Sequence, residues 1–271
     1  MAHHSRFLRN CLCVAAVALG NIATATANES SYIFEIPATR STTSDKPLGE
    51  YILATLDYAN PQQAAAGIEA SGALDIVEIT DGNVVVGIAR GAVTTAAVAA
   101  SDLAATFVVD YDEDSVVNSA RLLRDSYGEQ PTPDEIERFV FEFIKDKNYL
   151  GSFDFASKVA RTRSGDCTEH AVLLAALARY QGMPARLVLG VVLLATNDDV
   201  EAYGHAWTEV YFKEIWQRVD GTSPGRPDAE AKAYYLPLMT LKDEGPGYGM
   251  DFMRLMQVHP ARISDIRAIK P

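Results

Sequence analysis

The chain turns on Arg163-Ser164-Gly165-Asp166-Cys167-Thr168-Glu169-His170-Ala171. Val172-Leu173-Leu174-Ala175-Ala176-Leu177-Ala178 follows, and after Tyr180 comes Gly182-Met183-Pro184-Ala185-Arg186. Asp166 suits a helix N-cap, and Glu169 three residues on completes a capping-box pattern. Cys167 therefore falls in the first helical turn. Unpaired N–H groups and the positive end of the helix dipole favour a thiolate there. Residues 171–178 are apolar without interruption, and a helix apolar all round is buried. Gly182 and Pro184 stop it. The reading is a central buried helix with a reactive thiol at its mouth.

Two downstream pieces complete the pattern: Gly204-His205-Ala206-Trp207-Thr208-Glu209-Val210-Tyr211 and Trp216-Gln217-Arg218-Val219-Asp220-Gly221-Thr222. Residues 186–194 are β-rich and apolar, as expected of a central strand, and residues 195–203 read as a polar loop. Residues 204–212 and 215–220 read as strands joined tightly at Lys213-Glu214. If Phe212 pairs with Ile215, Trp207 falls opposite Asp220 and His205 opposite Thr222. Alternation then puts all four side chains on one face, with His205 and Asp220 as diagonal neighbours able to bond. Cys, His and Asp are the ingredients of a thiolate nucleophile, its base and the acid that orients the base. His170, three residues after Cys167, competes as base, the alternative being a histidine packed and bonded within the core. Glu209 is a candidate ion-pair partner, Trp207 and Trp216 are candidate cover for the site, and His259 reads as structural or surface.

The blocks Gly165-Asp166-Cys167, Gly182-Met183-Pro184-Ala185-Arg186, Gly204-His205-Ala206-Trp207-Thr208-Glu209-Val210 and Val219-Asp220-Gly221-Thr222 resemble the bacterial transglutaminase-like superfamily over residues 115–224. The resemblance implies an α+β, papain-like core with the nucleophile helix packed on an antiparallel sheet. It also implies Cys167 as nucleophile, His205 as base and Asp220 as orienter. Animal transglutaminases carry Gln before the cysteine and Trp after it, where this chain has Asp166 and Thr168. No calcium loop is seen, the scattered His and single catalytic-type Cys give no metal-ligand spacing, and no cofactor is expected.

The other regions are assigned around this core. Residues 1–27 read as a secretory leader, with Arg6 and Arg9 ahead of an apolar run over 11–19 and Ala25-Thr26-Ala27 as the cleavage pattern. The run is too short to span a bilayer, which takes about 20 residues, so a secreted or periplasmic protein is expected rather than an anchored one. Cleavage removes two of 24 Lys+Arg and none of 36 acids, leaving 22 basic residues and a net charge of −14, and it removes Cys11 and Cys13. The single remaining thiol excludes an internal disulfide, and the acidic balance disfavours nucleic acid. Residues 28–114 form an accessory α+β region, with a strand over 51–56, a helix over 61–70, and a hairpin of 74–80 and 83–89 around Asp81-Gly82. Residues 92–105 are either a helix or an Ala-rich connection.

Residues 115–228 are the catalytic unit. It begins with a helix over 116–127 and a second capped by Thr132 with Pro133 at its start, whose core stripe is Ile136, Phe139, Val140, Phe143 and Ile144. Residues 229–271 are a C-terminal extension packed on that unit, or a lid over its cleft. The function expected is an exported cysteine hydrolase that cleaves a peptide or amide bond of a protein or peptide through a Cys167 thioester. The N–H of Cys167 is one oxyanion donor. The alternatives are amine transfer to glutamine, an arylamine acetyltransferase-like reaction on the same residues, and a catalytically silent scaffold.

Overall fold

The computed structural model describes residues 35–42, 47–71, 74–91, 96–147, 154–196, 199–223, 232–241, 244–247 and 249–269. The leader expected over 1–27 lies outside them. Helices mix with two five-stranded, largely antiparallel sheets. The first sheet holds β6 (Ala185–Ala195) at its centre, between β7 (Val200–Phe212) and β9 (Lys232–Thr240). Both β1 (Glu35–Ile36) and β8 (Ile215–Val219) pair with β7. The second sheet runs β2 (Ala38–Arg40), β10 (Arg262–Ala268), β3 (Tyr51–Asp57), β5 (Asn83–Ala89), β4 (Asp75–Thr80). Only its β2–β10 pair is parallel.

Between β5 and β6 lie α2 (Asp114–Tyr127), α3 (Pro133–Phe143), α4 (Ala156–Thr162) and α5 (Cys167–Tyr180). Helix α5 packs on β7 and β6, with α2, α3 and α4 around it. Its residues from Cys167 to Arg179 are all buried, as the unbroken apolar run requires. Strand β6 is equally enclosed, with Arg186 alone only partly buried, which is why its sequence is continuous rather than alternating. Thr132 caps α3 in a capping box with Glu135, and Ile136, Phe139, Val140 and Phe143 are buried. Nearer the N-terminus, α1 (Pro61–Ser71) and the β4–β5 hairpin stand where expected.

Two expectations need amending, and one open alternative is decided. The polar loop over 195–203 is much shorter, because β7 starts at Val200 and Ala195 pairs with Val200. Val200 and Ala202 are buried while Glu201 is only partly so, an alternation masked by the acidic residues before it. Of residues 96–105, only Ala100–Asp102 is helical, as one 3-10 turn. The tail does not stay on one unit: β9 completes the first sheet and β10 the second. Helix α6 (Gly249–Val258), between them, contacts α1 and β9.

Candidate active site

Asp166 caps α5 by accepting the Thr168 N–H at 2.9 Å, and Glu169 returns the bond by accepting the Asp166 N–H at 2.9 Å. Glu169 also accepts the Asp154 N–H at 3.1 Å. Burial first, and then the Asp166 carboxylate, raise the Glu169 pKa. This frame fixes Cys167 as the first residue of the helix. Cys167 is fully buried at 0% exposure, and His205 and Asp220 are each 5% exposed. The thiol stands at the start of the buried helix, as expected.

Strand β7 carries His205 and is held to α5 by Thr208, whose hydroxyl donates to the Ala171 carbonyl at 2.8 Å. Across the sheet His205 pairs with Gly190 on β6. A Cβ on Gly190 would fall 2.1 Å from the Leu236 carbonyl oxygen and 2.8 Å from Trp207 Cη2, so the close approach of β9 and the indole behind His205 requires glycine. The expected register is observed, Phe212 facing Ile215. Lys213 and Glu214 both take positive φ in the turn.

The ladder stops at Thr208–Val219. Asp220 thus reaches His205 from a turn rather than from the strand, and Thr222 folds back onto Asp220 instead of standing across from His205. Asp220 Oδ1 accepts the Thr222 N–H at 3.0 Å and its hydroxyl at 2.7 Å, an Asx-type turn. Oδ2 accepts the Tyr235 hydroxyl at 2.7 Å and lies 2.8 Å from His205 Nε2. Burial works to raise the Asp220 pKa, but His205 and the donors from His205, Tyr235 and Thr222 outweigh it and hold the carboxyl well below its ordinary range. Against an ionised Oδ2, Nε2 carries the proton. The His205 ring also lies 6.1 Å from Trp207 and 6.0 Å from Tyr235, centroid to centroid.

His170 is the packed histidine of the two readings considered. Its Nδ1 lies 2.6 Å from the Asp166 carbonyl oxygen, which only an N–H can satisfy, and its Nε2 lies 2.9 Å from Lys147 Nζ, which it must accept. Burial, followed by the Lys147 charge, lowers its pKa to about 3, so it is neutral. It marks where the helix start lies, because its Cβ is 3.5 Å from where a Cβ on Gly221 would be, next to Asp220. Asp220 and His205 also both act electrostatically on its ring.

Glu209 pairs with Arg186 at 2.6 Å, as expected of it. Arg186 also lies over the Trp216 ring at 4.3 Å, and the Trp216 indole donates to the Ala96 carbonyl at 2.8 Å. His259 is partly buried, with Nδ1 3.1 Å from the Pro260 carbonyl. Tyr235 and Glu137, whose Oε1 accepts the Asp220 N–H at 2.9 Å, were missed from sequence. Tyr235 sits in an apolar run, and Glu137 lies on a helix known only by its core stripe.

A buried helix opening on cysteine, laid on an antiparallel sheet with a bonded His–Asp pair, is the arrangement the sequence blocks implied. Residues 121–221 match the family model of the transglutaminase-like superfamily. No curated protein matches the chain. Among solved structures, a proposed cysteine protease of Cytophaga hutchinsonii is similar at 13% identity and TM-score 0.44, covering 82% of each chain. A proposed protease of Parabacteroides distasonis is similar at 17% identity and TM-score 0.31, covering 71% of this chain and 42% of that one.

Proposed function

We propose that this protein is an exported cysteine hydrolase that cleaves peptide or amide bonds in a protein or peptide substrate, with Cys167 as nucleophile, His205 as general base and acid, and Asp220 as the orienting acid. The observation that carries the reading is the buried His205–Asp220 bond through Nε2, 2.8 Å. It fixes the tautomer and leaves Nδ1 as the nitrogen to exchange a proton with the thiol. Cys167 gives its proton to His205 and its sulfur attacks the carbonyl carbon. The tetrahedral adduct collapses as His205 protonates the departing amine, leaving a thioester. Water, deprotonated by His205, then attacks the thioester, releases the carboxylic acid and restores the thiol. Export rests on the leader pattern over residues 1–27, which makes the periplasm or the exterior the place of action.

Water is the proposed acceptor because Thr168 stands where animal transglutaminases carry a tryptophan beside the nucleophile. A thioester that awaits an amine needs water kept out. The test is to incubate the purified exported form with denatured protein, with and without a labelled primary amine, beside the Cys167→Ala chain. New amino termini or released ammonia that depend on Cys167, with little label incorporated, support hydrolysis. Cys167-dependent labelling without cleavage or ammonia release in the presence of amine would make the protein an amine acyltransferase. No difference between the two chains would make it a scaffold.

A further inference from the structure

We propose that Glu137 is a positioning residue of the Asp220–His205 pair, with α3 acting through it to clamp the Asp220–Gly221 corner. The inference rests on the reading of Asp220 as the orienting acid. Asp220 follows the last β7–β8 pair, Thr208–Val219, at a position whose N–H points away from β7 in the alternation of an antiparallel ladder. Glu137 Oε1 accepts that N–H at 2.9 Å. One turn further along α3, Val140 Cγ1 lies 2.9 Å from where a Cβ on Gly221 would be. A side chain at 221 would therefore force Val140 or the corner to shift. His170 of α5 lies beside the same point, its Cβ 3.5 Å away. The corner thus packs where α3 and α5 meet, and it is bonded to α3 through Glu137. This matters for the proposed chemistry because the Asp220 carboxylate reaches His205 from a turn, and a turn has no ladder to hold its place. A displacement of about 1 Å in an aligned catalytic group lowers rate by up to ~100-fold.

Glu137 also brings a second carboxyl close to Asp220. Burial is the main force on it, and the charges of Asp220 and Asp134 add to it. The Asp220 N–H and Arg218 oppose them, and the result is a pKa pushed up to about 7. The other titratable groups around this corner are Tyr235, which Glu137 helps to raise, and His205 and His170 beyond Asp220. A carboxylate and a neutral carboxyl both accept the Asp220 N–H through an oxygen, so the clamp persists through that titration while the charge beside Asp220 changes.

Two substitutions separate these roles. Glu137→Gln keeps an acceptor oxygen and removes the charge, whereas Glu137→Ala removes both. The readouts are kcat and KM on denatured protein, the melting temperature, and the NMR titration of the His205 ring assigned by loss of its signal in His205→Ala. The expected result for Glu137→Ala is kcat lower by about 10-fold or more at unchanged KM, together with a displaced His205 resonance. Glu137→Gln is expected to restore kcat to within about threefold of the wild type and to lose an inflection near pH 7 that the wild-type His205 signal carries. The proposal is overturned if Glu137→Ala matches the wild type in kcat and in the His205 titration. It is equally overturned if Glu137→Gln is as impaired as Glu137→Ala, or if melting temperature falls while the His205 resonance stays in place. Should the wild type show no Cys167-dependent turnover, the hydrolase reading fails by itself, and the His205 titration still decides the role of Glu137.

Discussion

Removing the Tyr235 hydroxyl probes what keeps Asp220 ionised in a fully enclosed place. Tyr235→Phe leaves Asp220 the two donors of Thr222 and the one of His205, while the ring keeps its place between Trp207 at 5.2 Å and the Arg218 guanidinium at 3.8 Å. The Asp220 carboxyl is depressed in the folded state. Its stabilising contribution is therefore present above the unfolded value of about 3.9 and is lost as pH falls through the folded value. With one donor gone the depression shrinks. The expected loss is about 1–3 kcal/mol in urea unfolding at pH 7, with a gap between the two chains that narrows only as pH falls through the depressed folded values of Asp220, and a gap that does not narrow there would mean Tyr235 acts on packing alone. At this scale the sequence was most informative where spacing alone sets geometry. Phe212 opposite Ile215 brings His205 and Asp220 together, and a one-residue shift would have separated them. Tyr235 was not legible because it comes from a strand on the far side of β6. Glu137 was not legible because a helix pattern marks the residues that face the core and says nothing of one glutamate bonded to a distant N–H.

At the scale of elements, the C-terminal end of α5 is tied to the tail by a buried ion pair. Arg179 donates to both carboxylate oxygens of Glu244 at 2.8 Å, to the Ala185 carbonyl at 2.7 Å and to the Ala104 carbonyl at 2.9 Å. The Thr106 hydroxyl and the Val108 N–H also bond to Glu244. One residue thus holds together α5, β6, the segment before α2 and the tail. Glu244→Ala leaves the guanidinium buried without its counter-charge, and the expected loss is about 3–5 kcal/mol by denaturant unfolding. Replacing both partners, Arg179→Met with Glu244→Leu, is expected to recover part of that loss, and a double variant no better than Glu244→Ala would show that the carbonyl bonds of Arg179 dominate. The helices and the central strand were legible here because caps and continuous apolar runs are local signals. The placement of the tail was not. Ile263 and Ile266 are both buried in β10 although three residues apart, because the register shifts between Ser264 and Arg267 and Asp265 takes a positive φ. A bulge of this kind destroys the period of two by which a strand is recognised, so the segment carried no strand signal of its own.

The whole molecule carries two sets of buried titratable groups that pull its stability in opposite directions with pH. His170 and His259 have values lowered from 6.5 to about 3 and about 4, in both cases mainly by burial. A histidine depressed in the folded state contributes stability that is fully present above its unfolded value of 6.5 and lost as pH falls towards the folded value. Glu137 is raised from 4.5 to about 7 by burial first, and Glu169 is raised for the same first cause. Their contribution is present below 4.5 and lost as pH rises through the folded value. Between 4.5 and 6.5 the two sets oppose each other. Below 4.5 the glutamates have nothing further to add, the histidines continue to destabilise, and Asp220 joins them. The melting temperature is therefore expected to change little from pH 6.5 to 4.5 and to fall steeply below that. His170→Gln isolates the largest contributor, since its amide nitrogen can donate to the Asp166 carbonyl and its oxygen can accept from Lys147, without a group that must take up a proton. Melting curves of both chains from pH 3 to 8 should converge as pH falls, with the variant losing less than the wild type below 6.5. Parallel curves across that range would show that His170 does not remain neutral in the folded protein, and the acid limb would then belong to the carboxylates alone.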